Sequence, residues 1–181
     1  MLKCKLLFLA LALGAVPGLQ AQKLPTATRS VDIQAGGGFV YGESDYGRTM
    51  DGYGVYGTLD FRYHLGVELE YHKANGTDLI YEKTYEVGPR YVWHYGRLNP
   101  YVKVMYGRGV FNFPPYYPGG ESSANLAYNI LAGGGGVDYR LRRYLNVRGD
   151  FEYQDWASNP GFLPHGLTPY IGTIGVAYHF R

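Results

Sequence analysis

Asp32, Asp60, Glu68, Glu70, Glu86, Asp138, Asp150 and Glu152 fall on alternate positions of extended segments, with Arg62, Arg90, Lys103, Arg140 and Arg148 on the same parity. Paired carboxylates can hydrolyse glycosides by acid–base chemistry. Interleaved with this many cations, however, they are expected to neutralise one another, because charges sealed in a narrow space must pair to offset desolvation. His64, His72, His94, His165 and His179 show no paired spacing of the His-Glu-x-x-His kind, so no metal site is expected. Gly36-Gly37-Gly38 and Gly133 to Gly136 could cradle a phosphate. No helical pattern and no Gly-Lys-Ser/Thr follows either run, and small residues in a tight wall account for them. The one cysteine, Cys4, lies in the leader described below, which leaves no disulfide, Cys-ligated metal or thiol nucleophile. No catalytic residue, cofactor or metal is therefore expected.

These residues need elements to position them. Lys3 and Lys5 precede an apolar run from Leu6 to Val16, and Gly18-Leu19-Gln20-Ala21 offers a small-residue exit. The run is too short to span a bilayer as a helix, so residues 1–21 read as a secretory signal peptide. Residues 22–30 read as a short periplasmic leader and 31–181 as a single domain. Removing Lys3 and Lys5 from the 17 Lys+Arg leaves 15 against 15 Asp+Glu. That balance excludes an electrostatic nucleic-acid binder. With 46% hydrophobic and 18% charged residues the chain is not disordered, and its 27 Gly and 20 Tyr suit an all-β chain.

Period-2 alternation predicts eight strands: Val31 to Gly42, Gly52 to Tyr63, Val67 to His72, Tyr85 to His94, Tyr101 to Tyr106, Val137 to Leu141, Leu145 to Tyr153 and Tyr170 to Phe180. The sixth is blurred at its start. Short connections (His64 to Gly66, Gly96 to Asn99, Arg142 to Tyr144) alternate with long ones (Glu43 to Asp51, Lys73 to Thr84, Phe113 to Ser123, Ala157 to Thr168). That is the layout of an eight-stranded antiparallel up-and-down transmembrane β-barrel. A soluble ligand-binding barrel would share the period with its faces reversed. Three features favour the membrane form. Gly36, Gly38, Gly54, Gly88, Gly136 and Gly175 crowd the polar face, as a narrow lumen requires. Tyr53, Tyr85, Tyr153 and Tyr170 at the long-loop end, and Tyr63, Trp93, Tyr139, Tyr178 and Phe180 at the short-loop end, form two aromatic girdles on the apolar face. Ten residues from Tyr53 to Tyr63, tilted, span roughly 25 Å, the height of an outer-membrane apolar band.

Asn99-Pro100-Tyr101-Val102, the segment GGGGVDYR from Gly133 to Arg140, and Val176-Ala177-Tyr178-His179-Phe180 carry a resemblance. Through them the chain resembles the OmpA-like eight-stranded outer-membrane β-barrel family over Val31 to Arg181. The resemblance implies an outer-membrane location, with periplasmic termini, extracellular long loops and outer-membrane lipids around the barrel. It also implies insertion by the barrel-assembly machinery through the C-terminal strand, where Arg181 follows the aromatic Phe180. A monomer with a plugged lumen and a structural or surface-interaction role is expected, with a narrow small-solute channel as the alternative. A lipid A-modifying enzyme is a further alternative. Trp156-Ala157-Ser158-Asn159 is similar to the His-x-Ser-Asn motif of lipid A deacylases, but Trp156 occupies the histidine position and cannot act as a general base. Phe113-Pro114-Pro115-Tyr116-Tyr117-Pro118 is an aromatic, proline-rich loop that either meets an extracellular partner or folds over the barrel mouth. Two three-residue hairpin loops, with Gly66 left-handed in the first, would set Arg62 opposite Glu68 and Asp138 opposite Arg148. Arg108 falls on the lipid-facing parity, so it is expected near the rim.

Overall fold

The computed structural model describes residues 31–44, 48–61, 64–76, 80–113, 124–156 and 167–180. The expected signal peptide (residues 1–21) and leader (22–30), Arg62, Tyr63, residues 114–118, Ser158, Asn159, His165 and Arg181 lie outside them. The strands are β1 (Val31–Ser44), β2 (Arg48–Phe61), β3 (Leu65–Asn75), β4 (Tyr81–Val92), β5 (Leu98–Phe113), β6 (Ala124–Arg142), β7 (Leu145–Trp156) and β8 (Tyr170–Phe180). Each pairs antiparallel with the next, and β8 pairs with β1 to close the barrel. Closure leaves no strand edge unpaired, which a hydrocarbon surround demands.

Side chains alternate between a buried interior and an exposed exterior, as the period predicts. Even-numbered residues face inward on β1 to β4, β6 and β7, odd-numbered ones on β5 and β8. Met105 is fully buried while Val104 beside it is 55% exposed. The exterior is a band of Leu, Val, Ile and aromatic side chains, including Leu69, Val102, Leu131, Phe151 and Ile174. A band of that extent is the face lipid covers; in water it would be an aggregation liability.

Two turns depart from the expected geometry. At the first, His64 takes the left-handed conformation at φ 74°, and Leu65 already begins β3. The register sets Asp60 opposite Gly66 and Thr58 opposite Glu68, four residues away from the Arg62–Glu68 pairing. Gly66 serves a different purpose. The Asp60 carboxylate occupies the space its missing Cβ would need. At the second, Arg143-Tyr144 forms a two-residue turn closed by Arg142 and Leu145, with a bulge between Arg140 and Arg142. The bulge absorbs the shorter loop, so Asp138 stands opposite Arg148 as expected. Several strands run further than alternation showed, β6 most of all.

Candidate functional site

The interior holds the chemistry, in layers set by position along the strands. At the short-turn end, Asn146 Nδ2 donates to Gln34 Oε1 at 2.7 Å, and His179 Nε2 contacts Asp32 Oδ1. Above this, two guanidinium groups bind three carboxylates. Arg90 donates from Nη1 to Glu68 Oε2 at 2.6 Å and from Nη2 to Asp138 Oδ2 at 2.9 Å, and its Nε lies 3.3 Å from Asp60 Oδ1. Arg148 donates from Nε to Asp138 Oδ1 at 2.7 Å and from Nη1 to Glu68 Oε1 at 2.9 Å. The rings of Tyr56 and Tyr101 pack on these planes. Arg148 Cζ lies 4.0 Å from the Tyr56 centroid, and Arg90 Cζ lies 4.2 Å from that of Tyr101.

Lys103 forms the next layer. Its Nζ lies 2.5 Å from Glu70 Oε2, 2.7 Å from Asp150 Oδ1 and 3.0 Å from Glu152 Oε2. Gln154 Nε2 then donates to Glu86 Oε1 at 2.9 Å and to Glu152 Oε1 at 2.7 Å. Trp156 Nε1 donates to Gln154 Oε1 at 2.9 Å. His72, Glu86 and Glu152 place one ligand-type atom each within 4.8 Å of one another. They come from the neighbouring strands β3 and β4 and from the distant β7, with no short motif joining them, so residue spacing gave no sign of this group. Lys103 already supplies positive charge to it.

Toward the long-loop end the interior changes character. Met50, Ala74, Ile80, Met105, Phe111, Ile130, Ala132, Trp156 and Leu167 form an apolar cluster inside the barrel. Sequence reading missed it. The sixth strand looked blurred because Ile130 and Ala132 point inward where Leu131 points outward, so both faces are apolar.

The structure thus joins Asp60, Glu68, Glu70, Arg90, Lys103, Asp138, Arg148, Asp150 and Glu152 through ion pairs, and Glu86 through Gln154. Arg140 does not join them. It faces inward beside the bulge, and among the described residues it makes no ion pair and its Nε has no hydrogen-bond partner. Tyr56, Tyr101, Asn146 and Gln154 were on the polar parity in the sequence, and that parity was the available sign of their part here. Of the girdle, Tyr53, Tyr85, Trp93, Tyr139, Tyr153, Tyr170, Tyr178 and Phe180 are exposed on the exterior.

A closed, antiparallel eight-stranded barrel with an apolar exterior and a charged interior defines an outer-membrane barrel. The outer membrane protein beta-barrel domain family matches residues 6–180, and the chain belongs to it. Among curated proteins none matches the sequence significantly. Among solved structures the fold is similar to Neisserial surface protein A at TM-score 0.62 and 14% identity, covering 83% of this chain and 97% of that one. It is also similar to the N-terminal β-barrel domain of Pseudomonas aeruginosa OprF at TM-score 0.60 and 14% identity, covering 83% and 97%. A third is Ail of Yersinia pestis, solved with the heparin analogue sucrose octasulfate, at TM-score 0.58 and 16% identity, covering 83% and 99%.

Proposed function

We propose that this protein is a sealed, non-catalytic barrel of the outer membrane, anchored by its exterior as a monomer and acting through its loops. The filled interior carries this reading. Arg90, Arg148 and Lys103 are buried among their carboxylates in one half, and the Trp156 cluster fills the other. Eight strands enclose space that side chains can occupy, and here they occupy it. The termini would face the periplasm and the long loops the outside, with β8 presented to the barrel-assembly machinery. Planar-bilayer recordings of the refolded protein test the seal: no discrete conductance steps are expected, and reproducible steps would establish the narrow-channel alternative. The enzyme alternative is disfavoured because the Trp156 indole is buried and held by Gln154. Lipid A from cells with and without the protein is expected to give the same mass spectrum.

A further inference from the structure

Lys73, Lys83 and Arg108 stand on the exterior of three successive strands, toward the long-loop end. Lys73 lies directly opposite Lys83 in the β3–β4 ladder. Lys83 pairs with Val110 and Tyr85 with Arg108, so Lys83 and Arg108 are diagonal neighbours on one face. Direct and diagonal neighbours lie about 5 and 7–8 Å apart at their bases, within reach of one shared anion for side chains this long. Like charges set directly opposite destabilise a sheet unless something neutralises them. Among the described residues, none of the three forms an ion pair with a carboxylate. The outward acid beside them, Asp51, is diagonal to Lys73 and leaves the group net positive.

Two further contacts order the group. The Tyr81 ring serves both lysines, with Lys83 Nζ 4.7 Å and Lys73 Nζ 5.7 Å from its centroid. Arg108 Nη1 donates to Asn129 Oδ1 at 3.2 Å. Arg108 and Asn129 also border an open exterior groove of about 870 Å³, whose apolar walls include Val55, Gly57, Leu69, Tyr85 and Tyr106. A cationic rim continuous with an apolar groove matches an amphiphile with an anionic head and a hydrocarbon tail. We propose that this face binds one phosphorylated lipid of the surrounding bilayer, with its phosphate on Lys73, Lys83 and Arg108 and an acyl chain in the groove. Three cations suit a phosphate better than a singly charged carboxylate, and Arg adds a paired-donor geometry. A soluble anion would leave the groove unused.

The test uses the full barrel in dioleoylphosphatidylcholine nanodiscs doped with spin-labelled phosphatidic acid or spin-labelled phosphatidylcholine. Electron paramagnetic resonance reads the motionally restricted fraction of each. The native protein is expected to select phosphatidic acid by at least about fivefold, the scale of one basic residue at an anionic membrane surface. Lys73→Gln/Lys83→Gln/Arg108→Gln should bring that ratio close to one, and Arg142→Gln/Arg143→Gln at the opposite end should leave it unchanged. Gly57→Leu should lower the restricted phosphatidic acid with all three cations in place, because a Cβ there meets only the Gln34 carbonyl oxygen at 3.8 Å and the larger chain fills the groove. Folding of each variant is read from heat-modifiable migration; if the triple variant does not fold, Lys83→Gln and Arg108→Gln singly carry the test. Equal selection of the two lipids by the native protein, an unchanged ratio in the folded cation variants, or displacement of phosphatidic acid by inorganic phosphate would overturn the proposal.

Discussion

Arg148 shows what a fully buried cation costs and contributes. It holds Asp138 and Glu68 and is covered by Tyr56. Replacing Arg148 leaves Asp138 and Glu68 to share Arg90, a buried excess of negative charge that costs about 3–5 kcal/mol. Arg148→Met is therefore expected to destabilise the barrel by about that amount in urea unfolding from detergent micelles. Adding Glu68→Gln to Arg148→Met removes one of the stranded charges and should recover part of the loss; strictly additive losses would show that the two residues do not share a network. At Trp156 the expectation is chemical. Trp156→His restores the motif histidine, but the position points into the barrel between Gln154 and the apolar cluster. No deacylated lipid A should appear in the mass spectrum of cells producing that variant.

At the scale of strands, β5 and β7 meet across the interior where Gly109 faces the Trp156 indole. A Cβ on Gly109 would overlap that ring. Gly109→Ala should force the indole from its place and cost about 1–3 kcal/mol, the usual penalty of overpacking. The urea midpoint should fall, and Trp93 remains as the unperturbed fluorophore in a Trp156→Phe control. Strand-level parity was legible in the sequence because a wall with lipid on one side and charge on the other repeats every two residues, as in Tyr53 to Phe61. The Asp138–Arg148 register was legible too, since the β6–β7 bulge restores the count that the short turn removes. The β2–β3 register was not. It depends on His64 accepting a left-handed backbone, held by its Nδ1 2.7 Å from the Val92 carbonyl oxygen, a contact made across two strands. The apolar cluster was hidden for a related reason. Where Ile130 and Trp156 point inward, the contrast between faces that makes alternation visible disappears.

The molecule as a whole stands or falls on one seam. β1 meets β8 from Ile33–Phe180 to Glu43–Tyr170. Deleting residues 170–180 would expose unpaired backbone on both β1 and β7 to hydrocarbon, at several kcal/mol for each unmatched group. Such a chain should give no heat-modifiable folded band on electrophoresis, whereas the intact chain should give one. The same seam governs timing. A ribosome releases β1 first and β8 last, so the first strand waits for almost the entire chain before its second partner exists. Contacts this distant along a chain form slowly, because the entropy of closing the loop is lost before any bond rewards it. Throughout that interval the future lipid-facing band is bare in water and prone to stick to other chains. The topology therefore gives this protein an unfolded interval between synthesis and assembly, in which Leu69, Phe151 and Ile174 are bare to the wrong neighbours.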